Sequence, residues 1–163
     1  MIVVSNASPL ISLSNAGVLF VLQQLFGTIH ITQEVNHEIH PSPHVTEKPV
    51  INAEWLIVKS LSNPARLDEW SSQYRLGKGE LSTILYAKEC SANLVLLDER
   101  KARTLAKSHN LPLAGTIGIL EESYRRGFLT DLRSAYLHLL DTGTYIDKKI
   151  LEHSLIKIAS TKL

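Results

Sequence analysis

Short apolar runs alternate with helical patterns along this chain, and no junction between them carries a hairpin signal. Ile2–Ser5 is β-branched and apolar, the signature of a strand buried on both faces. Thr28–Ile31, Leu94–Leu97 and Leu111–Ala114 are further runs of this kind, and Leu94–Leu97 is the clearest strand. Trp55–Val58 reads as an extra strand at an edge. Strands that alternate with helices pair in parallel through crossovers, so the pattern predicts an α/β fold whose parallel sheet is covered on both faces.

Helix signals fill the intervals. Ser8-Pro9 offers a capping hydroxyl and a ring suited to a first turn, predicting a helix over Pro9–Ala16 that Gly17 ends. Val18–Phe26 reads as a second helix closed by Gly27, and Thr32 caps a third over Gln33–Ile39. His40–Asn52, with Pro41, Pro43, Pro49 and His44, has loop composition. Asn63-Pro64 opens a helix running to Tyr74, and Gly77-Lys78-Gly79-Glu80 opens another through Cys90. The remaining helices span Glu99–Ser108, Ile117–Arg126, Asp131–Leu140 and Tyr145–Ala159.

The 163 residues suit one domain with a helical C-terminal segment over 131–163, with no internal repeat or linker. No apolar run approaches the roughly eighteen residues of a membrane span, and the N-terminus lacks a basic leader. A lone cysteine, Cys90, excludes an internal disulfide and a cysteine zinc site, and it points to a reducing, cytoplasmic compartment. A net charge of +1 neither favours nor excludes a nucleic-acid partner.

In open parallel sheets the functional crevice lies beyond the carboxyl ends of the strands. Those ends carry Asn6, Asp98 and Thr116. An ionised Asp98 directly behind an apolar strand needs water, a donor or a cation beside it. The plain alternative is that Asp98 caps the helix beginning at Glu99. Glu80 follows two glycines at a helix start, where the helix field alone would favour a carboxylate. Glu34 and Glu38 share a helix face one turn apart and are equally compatible with a solvated pair.

The blocks VVSNASPLISL, QEVNHEI, GKGELSTILYA, LVLLDERKAR and LPLAGTIGIL, in that order over about residues 2–126, resemble the PIN-domain superfamily. More narrowly they are similar to its toxin-like prokaryotic branch, with the pattern S-N/D-x-S-P-L-I, G-x-G-E, L-L-D-D/E-x-x-A-R and G-T-x-G. The resemblance implies a three-layer α/β/α sandwich and an acidic pocket that binds Mg²⁺ or Mn²⁺ and cleaves RNA. It also implies a role as the toxin beside a small antitoxin protein.

Carried over by position, the family's acidic residues fall on Asn6, Glu38, Glu80 and Asp98. Glu38, Glu80 and Asp98 are then the metal ligands. Ser8 and Thr116 match polar positions of the pocket, and Glu99 is an auxiliary candidate. Hard divalent cations take oxygen ligands, which is the chemistry these residues offer. Asn6 departs from the carboxylate pattern. Its amide oxygen can coordinate a cation but carries no charge and cannot act as a general base. The alternative is a catalytically weak or inactive RNA- or protein-binding module. A phosphoacceptor receiver domain would need an adjacent acidic pair after its first strand, where Ser5-Asn6 stands.

Arg100, Arg103 and Lys107 form a basic stripe after Asp98, and Lys78 and Arg75 flank Glu80. The stripe suits a phosphodiester backbone or, equally simply, a solvated helix face. The seven histidines show no metal-ligand spacing. Trp55 and Trp70 read as packing residues. Ile146, Ile150, Leu151, Leu155, Ile156 and Ile158 follow a helical path that serves the core, a homodimer contact or an antitoxin dock.

Overall fold

A computed structural model describes residues 1–41 and 51–161. Its strands are β1 (Val3–Ser5), β2 (Ile29–Thr32), β3 (Leu56–Lys59), β4 (Leu94–Leu96) and β5 (Leu113–Ala114). They form one sheet of order β3-β2-β1-β4-β5, parallel at every junction. The register sets Ser5 opposite Leu96 and Thr32 opposite Lys59. The expected parallel α/β architecture is therefore present, and the Trp55–Val58 run is indeed an edge strand, displaced by one residue.

Alternate strand residues enter two cores. Val3, Ile29, Ile31 and Leu96 pack with helices α1 (Ala7–Asn15), α2 (Phe20–Phe26), α3 (Gln33–Ile39), α7 (Thr116–Arg125), α8 (Leu132–Asp141) and α9 (Lys148–Thr161). Val4, Val95 and Leu97 pack with α4 (Ala65–Gln73), α5 (Lys78–Glu89) and α6 (Arg100–Ser108) on the other face. The period of two along each strand thus feeds both layers. Each fully buried leucine, such as Leu10, Leu13 or Leu96, contributes about 1.5–3 kcal/mol relative to exposure.

Several element starts differ from the sequence expectation for local reasons. α1 begins at Ala7 rather than Pro9, because Asn6 is already the extended residue at its head. Ser8 is exposed in the first turn and is not the cap. Pro9 sits within that turn, where amide groups lack helical partners, so its missing N–H breaks nothing. At α4, Pro64 with φ −60° occupies the cap position expected of Asn63. α9 starts at Lys148 rather than Tyr145, which is fully exposed. Thr32 caps α3 as expected, its hydroxyl accepting from the Val35 amide at 3.3 Å. Of the expected loop over His40–Asn52, residues 42–50, including Pro43, His44 and Pro49, lie outside the described residues.

Two cross-element bonds orient α5 against the sheet. Ser82 meets Thr32 at 2.7 Å, and Tyr86, one turn later, meets His30 at 2.9 Å. α5 therefore runs antiparallel to β2, and its first turn, with Gly77, Gly79 and Glu80, lies at the carboxyl edge of the sheet.

Candidate active site at the carboxyl edge

Asn6 leaves β1 in extended conformation, and its backbone amide donates to Leu96 O at 3.0 Å. The residue is 2% exposed, and its side-chain Oδ1 has no hydrogen-bond partner among the described residues. A buried amide oxygen left unpaired costs about 1–3 kcal/mol, so such an atom marks a place where a ligand or bound water belongs.

Asp98 follows the neighbouring strand β4. Its Oδ1 accepts from the Thr116 amide at 2.7 Å and its Oδ2 from the Thr116 hydroxyl at 2.6 Å. Thr116 is buried and opens α7, so Asp98 also faces the positive end of that helix dipole. The capping role considered for Asp98 belongs instead to its neighbour: Glu99 accepts from the Ala102 amide at 2.7 Å. Asp98 is thereby left to bridge β4 and α7. Arg103, one turn into α6 and half-buried, returns to this edge and donates from Nη1 to Leu97 O at 2.7 Å.

The glycines of this edge each make room for an acid. A Cβ on Gly77 would come within 2.9 Å of Glu80 Oε2, the atom that accepts from the Gly77 amide at 2.6 Å. A Cβ on Gly79 would collide with the Glu38 carboxylate. On Gly115 it would lie 3.0 Å from Asp98 Oδ1 and 3.2 Å from Arg103 Nη1. In the sequence Gly77 and Gly79 read only as part of a helix opening. The long-range roles of Gly79 and Gly115 are visible only once α3 meets α5 and β4 meets β5.

The edge thus joins the expected residues unevenly. Asp98 and Thr116 are bonded directly. Glu38 touches Gly79, next in sequence to Glu80. Glu80 and Glu99 line one open groove of about 440 Å³ with Arg75 and Lys101. Lys78, Arg100 and Lys107 are exposed. Among the described residues, no three His, Cys, Asp or Glu side chains are grouped so that they could hold an ion together. Glu38, Glu80 and Asp98 therefore share an edge without forming a cage of carboxylates.

A cation that keeps several waters needs only one or two protein carboxylates. The donor set at this edge, all oxygen and including the unpaired Asn6 Oδ1 beside the strand that precedes Asp98, fits such an ion.

Fold and edge together define an α/β protein with its chemistry at the strand carboxyl ends. The family model DUF3368, a PIN domain, matches residues 2–160, and the chain belongs to that family. PIN domains are typically metal-dependent nucleases and commonly bind divalent metals. Neither the curated proteins nor the solved structures give a match. No helix among the described residues is long and apolar enough to cross a membrane.

Proposed function

We propose that the chain is a divalent-metal-dependent ribonuclease. The observation that carries this reading is the buried, unpartnered Oδ1 of Asn6, which follows β1 beside the strand β4 that precedes Asp98. Asp98 and Asn6 would hold Mg²⁺ or Mn²⁺, with Glu38 and Glu80 at the same edge contributing negative charge. When bound, the ion would polarise a phosphodiester and acidify a water. Thr116 fixes both oxygens of Asp98, so the carboxylate is oriented before any ligand arrives. Glu99 and Glu80 wall the adjoining groove, Ser8 stands exposed in the first turn of α1, and Lys78, Arg100 and Lys107 would draw in the RNA backbone.

Membership of a toxin–antitoxin pair extends this reading. A small antitoxin protein or a homodimer would cover the exposed Leu137, Ile150 and Ile156 of α8 and α9.

Asn6 favours a second reading, a catalytically weak or silent RNA- or protein-binding module, because a neutral amide lowers the negative charge offered to a metal. Incubation of purified protein with RNA in Mg²⁺, Mn²⁺ or EDTA separates the two. The nuclease reading requires metal-dependent cleavage that Asp98→Ala and Glu80→Ala abolish. Cleavage indifferent to both substitutions would refute the assigned site, and absence of wild-type turnover would favour the silent module.

A further inference from the structure

Arg103 differs from the other basic residues of α6. Arg100 and Lys107 are exposed, whereas Arg103 is half-buried and folds back to the end of β4. Among the described residues its Nη1 bond to Leu97 O is the only hydrogen bond of its side chain, and the ion pairs present join Arg125 and Arg126 to Glu122 and Lys157 to Glu121. A guanidinium carries five N–H donors in a planar fork. Arg103 therefore holds unused, directed donors at a partly desolvated position.

Its surroundings make the absence of a partner informative. Arg103 Nη1 and Asp98 Oδ1 both lie close to where a Cβ of Gly115 would stand, 3.2 and 3.0 Å from that point, yet they do not form an ion pair. Asp98 is already occupied by the two donors of Thr116. A cation and an anion therefore lie beside a bare glycine without a direct salt bridge. Any side chain at 115 would fill the space between them.

We propose that Arg103 is the phosphate-holding residue of this site, receiving a phosphodiester oxygen of the RNA strand on the guanidinium donors that Leu97 leaves free. The proposal rests on the ribonuclease reading for the identity of the substrate. It separates Arg103 from the stripe on α6: Arg100 and Lys107 act as diffuse positive charge, while Arg103 acts through oriented hydrogen bonds. Lysine keeps the charge and loses the fork, so it replaces an arginine of the first kind and not one of the second.

The test is fluorescence anisotropy of a labelled single-stranded RNA, in EDTA so that no strand is cut, over a series of salt concentrations. Arg103→Lys and Arg103→Gln should both weaken binding by about tenfold or more, and Arg103→Gln should lower the salt slope by about one. The remote Arg133→Gln should bind like wild type. Thermal melts of the same proteins separate binding from stability. A purely structural role at Leu97 O would lower the melting temperature of the Arg103 variants and leave RNA affinity and salt slope unchanged, which would overturn the proposal. Wild-type binding and metal-dependent cleavage with a normal Arg103→Lys would remove Arg103 alone. Arg103-dependent binding without cleavage in Mn²⁺ would uphold it and remove the nuclease reading. A wild type that does not bind RNA in EDTA overturns the Arg103 proposal, and one that also fails to cleave it in Mn²⁺ overturns both.

Discussion

The carboxylate of Glu38 occupies the space that a side chain on Gly79 would need. α3 and α5 can bring an acid to the carboxyl edge only because residue 79 has no Cβ. Gly79→Ala should therefore displace Glu38 while leaving α5 intact, since alanine is the better helix former. RNA cleavage should fall by at least tenfold with the melting temperature nearly unchanged. A variant with wild-type turnover would show that the Glu38 position is unimportant.

Thr116 and Asp98 form the most fully determined contact of the edge. Thr116→Val keeps the amide bond and deletes the hydroxyl donor, leaving Asp98 Oδ2 without its partner at 2.6 Å. The expected loss is about 1–3 kcal/mol of stability by chemical denaturation, together with a tenfold to hundredfold loss of cleavage. Thr116→Ser should restore most of both.

In the middle of α7, Glu121 is buried and accepts from Ser154 at 2.6 Å and Lys157 at 3.0 Å, while Ser154 also meets the Tyr136 hydroxyl at 2.6 Å. This network ties α7, α8 and α9 together. Burial pushes the Tyr136 phenol up to about 12. In the unfolded chain the phenol ionises near pH 10, so the unfolded state releases its proton first. Stability should thus be complete below pH 10 and decline by about 2–3 kcal/mol as the pH rises to 12. Tyr136→Phe should remove that decline, as read by denaturant melts at pH 8 and pH 11.

On the opposite face, the His109 ring stacks on Trp70 with centroids 5.2 Å apart, and Lys88 Nζ contacts its Nδ1 at 3.2 Å. Burial, followed by the charges of Lys88 and Arg66, lowers the His109 pKa below its ordinary 6.5. The folded state therefore favours the neutral ring. The stability this gives is present above about pH 6.5 and is lost as pH falls, because the unfolded chain takes up the proton first. His109→Phe should flatten part of that acid limb, read as melting temperature between pH 5 and 7.5. His30, lowered chiefly by burial and then by Lys59, adds to the same limb and should persist in the variant.

Much of the scaffold was legible because it depends on local chemistry. Thr32 before an apolar helix pattern marks a cap wherever it occurs, and the alternation of strands and helices dictates parallel pairing. Ser8-Pro9 and Asn63-Pro64 misplaced two helix starts because the same signals tolerate a shift within the first turn. The strand-end residues Asn6, Asp98 and Thr116 could be identified from position alone. What joins Asp98 to Thr116 could not be, since it depends on β4 pairing with β5 and on Glu99 taking over the cap. Likewise Gly79 and Gly115 act on residues distant in the chain. An acid inside an apolar helix face was the available clue to Glu121, but its partners come from α9.

The most direct test concerns the ion itself. Titration of Mn²⁺ into the protein, followed by electron paramagnetic resonance, reads binding independently of turnover. One ion should bind the wild type, Asn6→Asp should tighten it by about tenfold or more through the added charge, and Asp98→Asn should abolish it. Mn²⁺ affinity that is the same in all three proteins would contradict a cation held between the ends of β1 and β4.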